Sequence, residues 1–146
     1  MSLFKSKICY SKSKPHCVST TMIKRINRKE ELCLNRLRVD FLLKEHLYNH
    51  NFVNVDNPYC NNCNLRLNTS HFLLKCKKPS ITQSRNQFLA DLGTILNDDE
   101  LNILNTLTIS QKIKFLIYGH KSLTFDKNCK LLLETSRYIS RNLNLQ

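Results

Sequence analysis

Three cysteines and one histidine lie within seventeen residues of this chain, at spacings that suit a metal ion. Cys60 and Cys63 form a Cys-x2-Cys pair, and His71 and Cys76 follow at Cys-x2-Cys-x7-His-x4-Cys. Thiolate and imidazole are ligands that Zn²⁺ prefers, and a Cys-x2-Cys turn lets two thiolates reach one ion. The spacing therefore predicts a zinc site. The alternative is a chance cluster of buried thiols beside a surface histidine.

The number of ligands predicts that this zinc is structural. Three cysteines and one histidine fill a tetrahedron and leave no position for a substrate or an activated water. A zinc deaminase would also need a glutamate beside a histidine ligand, whereas His71 is flanked by Ser70 and Phe72. The remaining cysteines are too scattered to complete a second site; they are Cys9, Cys17, Cys33 and Cys129.

Signatures of catalysis are missing from the sequence. An aromatic-x-Asp-Asp polymerase motif does not occur, because the one Asp pair, Asp98-Asp99, is followed by Glu100. The other carboxylates do not form the group that a two-metal nuclease needs. We expect no catalysis by this chain.

Apolar residues recur at helical spacing through most of the chain, and strand signals are scarce. The pattern predicts an all-α fold of five or six helices, with an irregular Cys₃His zinc turn between the second and third. Residues 31–51 form either one long helix or two short ones with a break near residues 39–41, and Ser19, Thr20 or Thr21 caps the start. His71 and Cys76 are five residues apart, so we expect the helix there to be displaced or to end. Gly93 and Gly119 each follow an apolar segment and are predicted to end helices.

Three regions are predicted along the chain. Residues 1–18 form a disordered basic lead-in, residues 19–97 a helical zinc-binding domain, and residues 98–146 a helical C-terminal extension. The pattern leaves open whether this extension shares one core with the rest or packs as a second small helical unit. We expect no membrane span and no signal peptide, and hence an intracellular protein, nuclear or cytoplasmic. In such a compartment clustered cysteines bind metal more often than they form disulfides.

Basic residues outnumber acidic ones by 23 to 11, and the net charge of +12 favours a polyanion such as RNA or DNA as partner. Three lysines, Lys75, Lys77 and Lys78, surround the ligand Cys76 with no acidic residue near them in sequence. We predict phosphate contacts from these lysines and from five further cations: Arg85, Arg36, Arg38, Arg28 and Lys29. A solvated basic face is the alternative. Phe72 and Tyr59 either stack on bases or pack against the protein.

Residues 32–93 resemble a known family. They contain the runs LNRLRVDFLL, DNPYCNNC and SHFLLKCKKP, which are similar to the C-terminal zinc-binding region of reverse transcriptases from non-long-terminal-repeat (LINE-like) retrotransposons. The resemblance implies zinc at the four ligands named above, RNA or DNA as partner, and a reverse transcriptase domain as a second partner. It also implies a fragment or remnant of such an enzyme, non-catalytic alone. Val39, Asp40 and Phe41 stand where the family often has Thr-Gly-His, so a role for that turn does not carry over.

Two functions remain as hypotheses. One is a zinc-stabilised nucleic-acid-binding module that helps a reverse transcriptase hold RNA or DNA. The other is a purely structural or protein-docking zinc module, whose basic face serves solubility.

Overall fold

The computed structural model describes residues 17–143, and in that range the chain is all-α, as predicted. Six α-helices follow one another: α1 (Arg28–Arg38), α2 (Lys44–Asn49), α3 (Pro79–Ile95), α4 (Asp98–Thr106), α5 (Ile109–Tyr118) and α6 (Phe125–Asn142). A 3-10 turn (Thr20–Met22) precedes α1, and a π-helix (His71–Lys75) lies between α2 and α3. Residues 17–143 contain no β-strand, only an isolated bridge between Tyr59 and Arg66.

Side-chain caps mark the start of four of the six α-helices in residues 17–143. Asn27 accepts the N–H of Glu30 at 2.8 Å and Glu30 accepts the N–H of Asn27 at 3.0 Å, a capping box that starts α1. Asn97 and Glu100 form the same reciprocal pair at the start of α4. Ser19, one of the three residues predicted to cap the first long helix, instead caps the short 3-10 turn.

The two glycines have different roles. Gly119 ends α5 with φ at 88°, so the prediction for this residue is confirmed. Gly93 lies inside α3, which runs on to Ile95, so its predicted helix end is wrong. The helix continues because Leu92 and Leu96 are both buried in the core. Glycine inside a helix costs only about 1 kcal/mol relative to alanine, which such packing can offset.

A five-residue break separates α1 from α2, which decides between the two predicted alternatives in favour of two short helices. Asp40 adopts φ of 57° in this break, a left-handed conformation that Asp tolerates better than most residues. Leu42 and Leu43 remain buried. The chain therefore changes direction without exposing its leucines.

Helix α6 lies at the centre of the core. It contacts α1, α3 and α5. Its Tyr138 is fully buried, with ring centroids 5.3 Å from Phe72 of the π-helix and 5.1 Å from Phe88 of α3. The contacts Phe88 to Tyr138 and Ser84 to Asn142 show that α3 and α6 run antiparallel. The residues around the π-helix and the C-terminal helices thus share one hydrophobic cluster.

Two of the predicted region boundaries can be compared with the structure. Of the lead-in, residues 1–16 lie outside the described residues, but Val18 is buried and donates its N–H to the Tyr118 carbonyl at 3.1 Å. Val18 therefore belongs to the packed structure and not to a disordered segment. The boundary after residue 97 falls at the start of α4 and stays a prediction. None of the helices in residues 17–143 combines the length and apolarity needed to cross a membrane.

Candidate metal centre

Cys60 and Cys63 lie on a tight turn between α2 and the π-helix. The N–H of Cys60 donates to the Leu65 carbonyl at 2.7 Å, and the N–H of Asn64 donates to the Cys60 carbonyl at 3.0 Å. Asn64 adopts φ of 56°, a left-handed conformation in which Asn is enriched. The chain therefore reverses within a few residues, and the two cysteines lie near each other.

The π-helix brings His71 and Cys76 together. In an α-helix, residues five apart point about 140° away from each other, because each residue turns the helix by about 100°. Here the N–H of Cys76 donates to the His71 carbonyl at 2.7 Å, the i to i+5 hydrogen bond of a π-helix. This wider turn is the displacement that the five-residue spacing predicted. It lets both side chains reach one point.

The four candidate ligand atoms lie within 4.8 Å of one another. Sγ of Cys76 is 3.9 Å from Sγ of Cys60 and 3.9 Å from Sγ of Cys63. A tetrahedral Zn²⁺ with Zn–S bonds of about 2.3 Å would hold two sulfur ligands about 3.8 Å apart. A disulfide would bring them to about 2.05 Å. The spacing is therefore that of ligands around one ion.

His71 has bonding capacity that the protein does not use. Its side chain is buried, and neither Nδ1 nor Nε2 has a hydrogen-bond partner within residues 17–143. A buried polar atom without a partner costs about 1–3 kcal/mol, and native proteins pair nearly all of them. A metal ion on one ring nitrogen would give that atom a partner. The donor set thus fits a metal in its chemistry as well as in its distances.

The surroundings of the candidate ligands shift their pKa values in different directions. The N–H of Lys77 donates to Sγ of Cys63 at 3.3 Å, and this bond is the main cause that lowers the pKa of Cys63 to about 7. Burial raises the pKa of Cys76 to about 11. Burial also lowers the pKa of His71, with nearby cations adding to the effect. The imidazole is therefore held in the neutral form that a metal ligand needs.

Arg85 supports the site from behind Cys76. Its Nη2 donates to the Cys76 carbonyl at 2.7 Å, and Oγ1 of Thr82 donates to the same oxygen at 3.4 Å. Nη1 of Arg85 is buried without a partner in residues 17–143. Arg85 is one of the predicted phosphate contacts, yet the structure turns its guanidinium toward a ligand's backbone. A signal for this role was present, because Thr82 and Arg85 are three apart on a helix that starts at Pro79, three residues after the last candidate ligand.

Two further residues position the candidate ligands and lie outside the Cys₃His motif. Oδ1 of Asn68 accepts the N–H of His71 at 2.9 Å, and the hydroxyl of Tyr138 donates to the Phe72 carbonyl at 2.9 Å. Asn68 is recognisable in the sequence, since an Asx residue three positions before a helical residue is a typical cap. Tyr138 lies 66 residues from its partner and carries no local signal.

The lysine cluster, defined as Lys75, Lys77 and Lys78, lies directly around Cys76 and is exposed. Within residues 17–143 none of its three ammonium groups forms a hydrogen bond or an ion pair. Its backbone is held at two points, by the π-helix bond of Cys76 and by the bond from Lys77 to Cys63. The cluster is thus a set of unpaired charges on a fixed backbone.

Three other predicted cations lie on the surface of α1. Arg28 and Lys29 are in its first turn and Arg36 is in its last, and all three are exposed. Arg28 pairs with Glu31 at 3.3 Å. Their predicted contacts with phosphate stay predictions.

Arg38 does not lie on an exposed basic face, because only 8% of its surface is accessible. Its Nε donates to the Ile117 carbonyl at 2.6 Å, and its guanidinium lies 5.0 Å from the centroid of the Tyr118 ring. Sequence pattern could not show this, since Ile117 is 79 residues away. Arg38 therefore ties α1 to α5.

The two aromatic residues considered for base stacking differ in exposure. Phe72 is fully buried against Tyr138, so it offers no surface to a base. Tyr59 is 46% exposed, and the guanidinium of Arg66 lies 5.9 Å from its ring centroid. Phe72 therefore packs against the protein and does not stack on a base.

The arrangement can hold one metal ion with four protein ligands. An ion held by all four in a tetrahedron would have no open position for a substrate or a water. The site is therefore suited to stabilise the fold around it.

Comparison of the chain with protein-family models, with curated proteins and with solved structures gives no match.

Proposed function

We propose that this chain is a zinc-stabilised nucleic-acid-binding module that is non-catalytic alone. The observation that carries the proposal is the link between the Cys₃His group and the lysine cluster. Cys76 lies between Lys75 and Lys77, and the N–H of Lys77 donates to Sγ of Cys63. An ion at the four ligands would fix the backbone that displays three unpaired positive charges.

Zinc is the ion that this donor set favours. Thiolates select soft or borderline metals, and a site of three sulfurs and one imidazole nitrogen in a tetrahedron is typical of structural Zn²⁺. Such ligands bind deprotonated and come together only in the folded chain, so the free energy of zinc binding becomes free energy of folding. Changing Cys63 to Ser should therefore cost the chain its fold as well as its zinc.

RNA or DNA is the partner that the lysine cluster favours. Lysine ammonium groups contact phosphates without reading the sequence, and each contact releases counterions. The binding constant should therefore fall steeply as salt is raised. For duplex DNA, each phosphate contact contributes about −0.9 to the slope of log K against log salt.

A salt series with matched variants tests this proposal. The double change K77E/K78E should weaken binding of a labelled RNA or DNA oligonucleotide. For duplex DNA it should reduce the magnitude of the salt slope by about 1.8, two contacts' worth. The control K112E/K121E alters the same charge on α5 and in the turn that follows it, and should leave the slope close to that of the parent. Fluorescence anisotropy at several salt concentrations measures both. Binding that is absent, or insensitive to salt, would contradict nucleic-acid recognition.

The resemblance to the zinc-binding region of LINE-like reverse transcriptases supports the same function. Its most specific run, HFLLKC, forms the π-helix and the last ligand. A reverse transcriptase domain is then a second partner of the module, and no step of polymerisation depends on this chain alone. Primer extension on an RNA template by the purified chain would contradict this part of the proposal.

A structural or protein-docking zinc module is the second candidate. The closed ligand set and the inward direction of Arg38 and Arg85 favour it, because both arginines hold backbone carbonyls. It predicts full folding with zinc but no salt-dependent binding of nucleic acid. The salt series therefore separates the two candidates.

A further inference from the structure

A cleft of about 510 Å³ lies at the C-terminal end of α1, separate from the four ligands. Its walls come from the end of α1, from the residues just before the π-helix, and from α5. Six side chains that can donate hydrogen bonds line it: Arg38, Thr69, Ser70, Ser110, Lys114 and Tyr118, whose hydroxyl already donates to the Arg38 carbonyl. Asp40 and aliphatic side chains of α1 and α5 form the rest of the wall.

Arg38 is the buried cation of this cleft. It is 92% buried, and its Nη2 has no acceptor within residues 17–143. Its Nε bonds to a backbone carbonyl, but no carboxylate in that range forms an ion pair with it. Burial lowers the pKa of Arg38 to about 10, as expected for a cation withdrawn from water. Buried charges are normally paired, so an anion in the cleft would give the Arg38 guanidinium a partner.

The other donors reach the cleft from different directions. The hydroxyls of Ser70 and Ser110 and the ammonium of Lys114 have no partner within residues 17–143. Ser110 is the second residue of α5, where the positive end of the helix dipole favours a negative ligand. Donors on three sides suit the tetrahedral oxygens of a phosphate better than a flat carboxylate, which one arginine fork can satisfy.

We propose that this cleft binds a phosphate group, held by Arg38 and Lys114 and by the hydroxyls of Ser70 and Ser110. Asp40 also lines the cleft and carries negative charge. Its charge therefore opposes an anion in the cleft, and its removal should tighten phosphate binding. The site does not depend on the lysine cluster, so either proposal can fail while the other stands.

Titration of the full, zinc-loaded chain with inorganic phosphate tests the site, with chloride at the same ionic strength as the reference. The readouts are the NMR signals of the Arg38 Nε–H and the Ser110 amide, which we expect to shift and saturate. K114Q should weaken binding by about 1.5- to fivefold, the range for one exposed charge. K112Q removes an equal charge from the same helix outside the cleft and should not weaken it. D40N should tighten binding by a similar factor, and its backbone should persist because Asn suits the φ of 57° at residue 40.

Several results would overturn the proposal. One is a phosphate response no greater than that of chloride, and another is equal weakening by K114Q and K112Q in variants whose methyl spectra show a native fold. Competition identifies the source of the phosphate. Displacement of inorganic phosphate by a single-stranded oligonucleotide assigns the site to a nucleic-acid backbone, and displacement only by a nucleoside monophosphate assigns it to a free nucleotide. Either displacement supports the site, whereas failure of both oligonucleotide and mononucleotide to compete contradicts a phosphate-ester ligand.

Discussion

Replacing Arg85 by Gln tests whether this residue supports the metal centre or contacts nucleic acid. Its Nη2 donates to the Cys76 carbonyl at 2.7 Å, and its Nη1 is buried beside the site. Zn²⁺ with three thiolates and a neutral imidazole carries one net negative charge, which a neighbouring guanidinium stabilises. A hydrogen bond from a charged group is worth about 1.5–3 kcal/mol, and outer-shell partners typically change metal affinity about 10- to 100-fold. Because Arg85 is only partly buried, we expect the lower end, about a tenfold rise in the zinc Kd.

Competition for zinc with a coloured chelator measures this change, and urea unfolding of the zinc-loaded chain gives the loss of stability. R141Q removes an exposed arginine from the last turn of α6 and is the matched control, which should leave zinc affinity unchanged. The opposite pattern would refute the reasoning. If R85Q bound zinc within twofold of the parent and lost affinity for nucleic acid, Arg85 would be a phosphate contact and not a support for the ligands.

Four further substitutions test the fold. Gly119→Ala should destabilise the chain by about 1–3 kcal/mol, because φ of 88° and ψ of −177° are strained for any side chain. Gly93→Ala should stabilise it by about 0.5–1 kcal/mol, since its Cβ would meet nothing within 4 Å. Urea midpoints in the reverse order would contradict both predictions. The hydrogen bond from Lys127 lowers the pKa of Glu100, so its stabilisation is present above the unfolded pKa of about 4.3 and is lost as pH falls through the lower folded pKa. Glu100→Gln should therefore cost stability at pH 7 and much less at pH 3, and a cost independent of pH would contradict this origin. Tyr138→Phe should cost about 1–2 kcal/mol, because a buried carbonyl of the π-helix loses its donor, and an unchanged urea midpoint would argue against that contact.

The grouping of the four candidate ligands could be predicted from the sequence, because cysteines and histidines at short spacings leave few geometries that join them. The spacing of His71 and Cys76 even predicted a departure from a regular helix. It did not predict the form of that departure. The π-helix has tertiary support from the bond of Tyr138 to the Phe72 carbonyl, which joins residues far apart in the chain.

The direction of the arginines could not be predicted in the same way. Arg36 and Arg38 both follow the pattern of an exposed basic helix end, yet one is exposed and the other is 92% buried. The difference comes from α5, whose Ile117 carbonyl accepts a bond from Arg38. Local pattern also misplaced the helix end at Gly93, because burial of the leucines around it outweighs the low helix propensity of one glycine.

The most direct test of the central claim is titration of the metal-free chain with Co²⁺ and Zn²⁺, followed by visible absorption and far-ultraviolet circular dichroism. We predict one ion per chain, a tetrahedral cobalt spectrum with thiolate-to-metal bands, displacement of cobalt by zinc, and loss of helical signal when a chelator removes the metal. C63S should show neither the spectrum nor the metal-dependent helix. A chain that binds no ion, or that keeps the same helical signal and urea midpoint with and without metal, would contradict a structural zinc at Cys60, Cys63, His71 and Cys76.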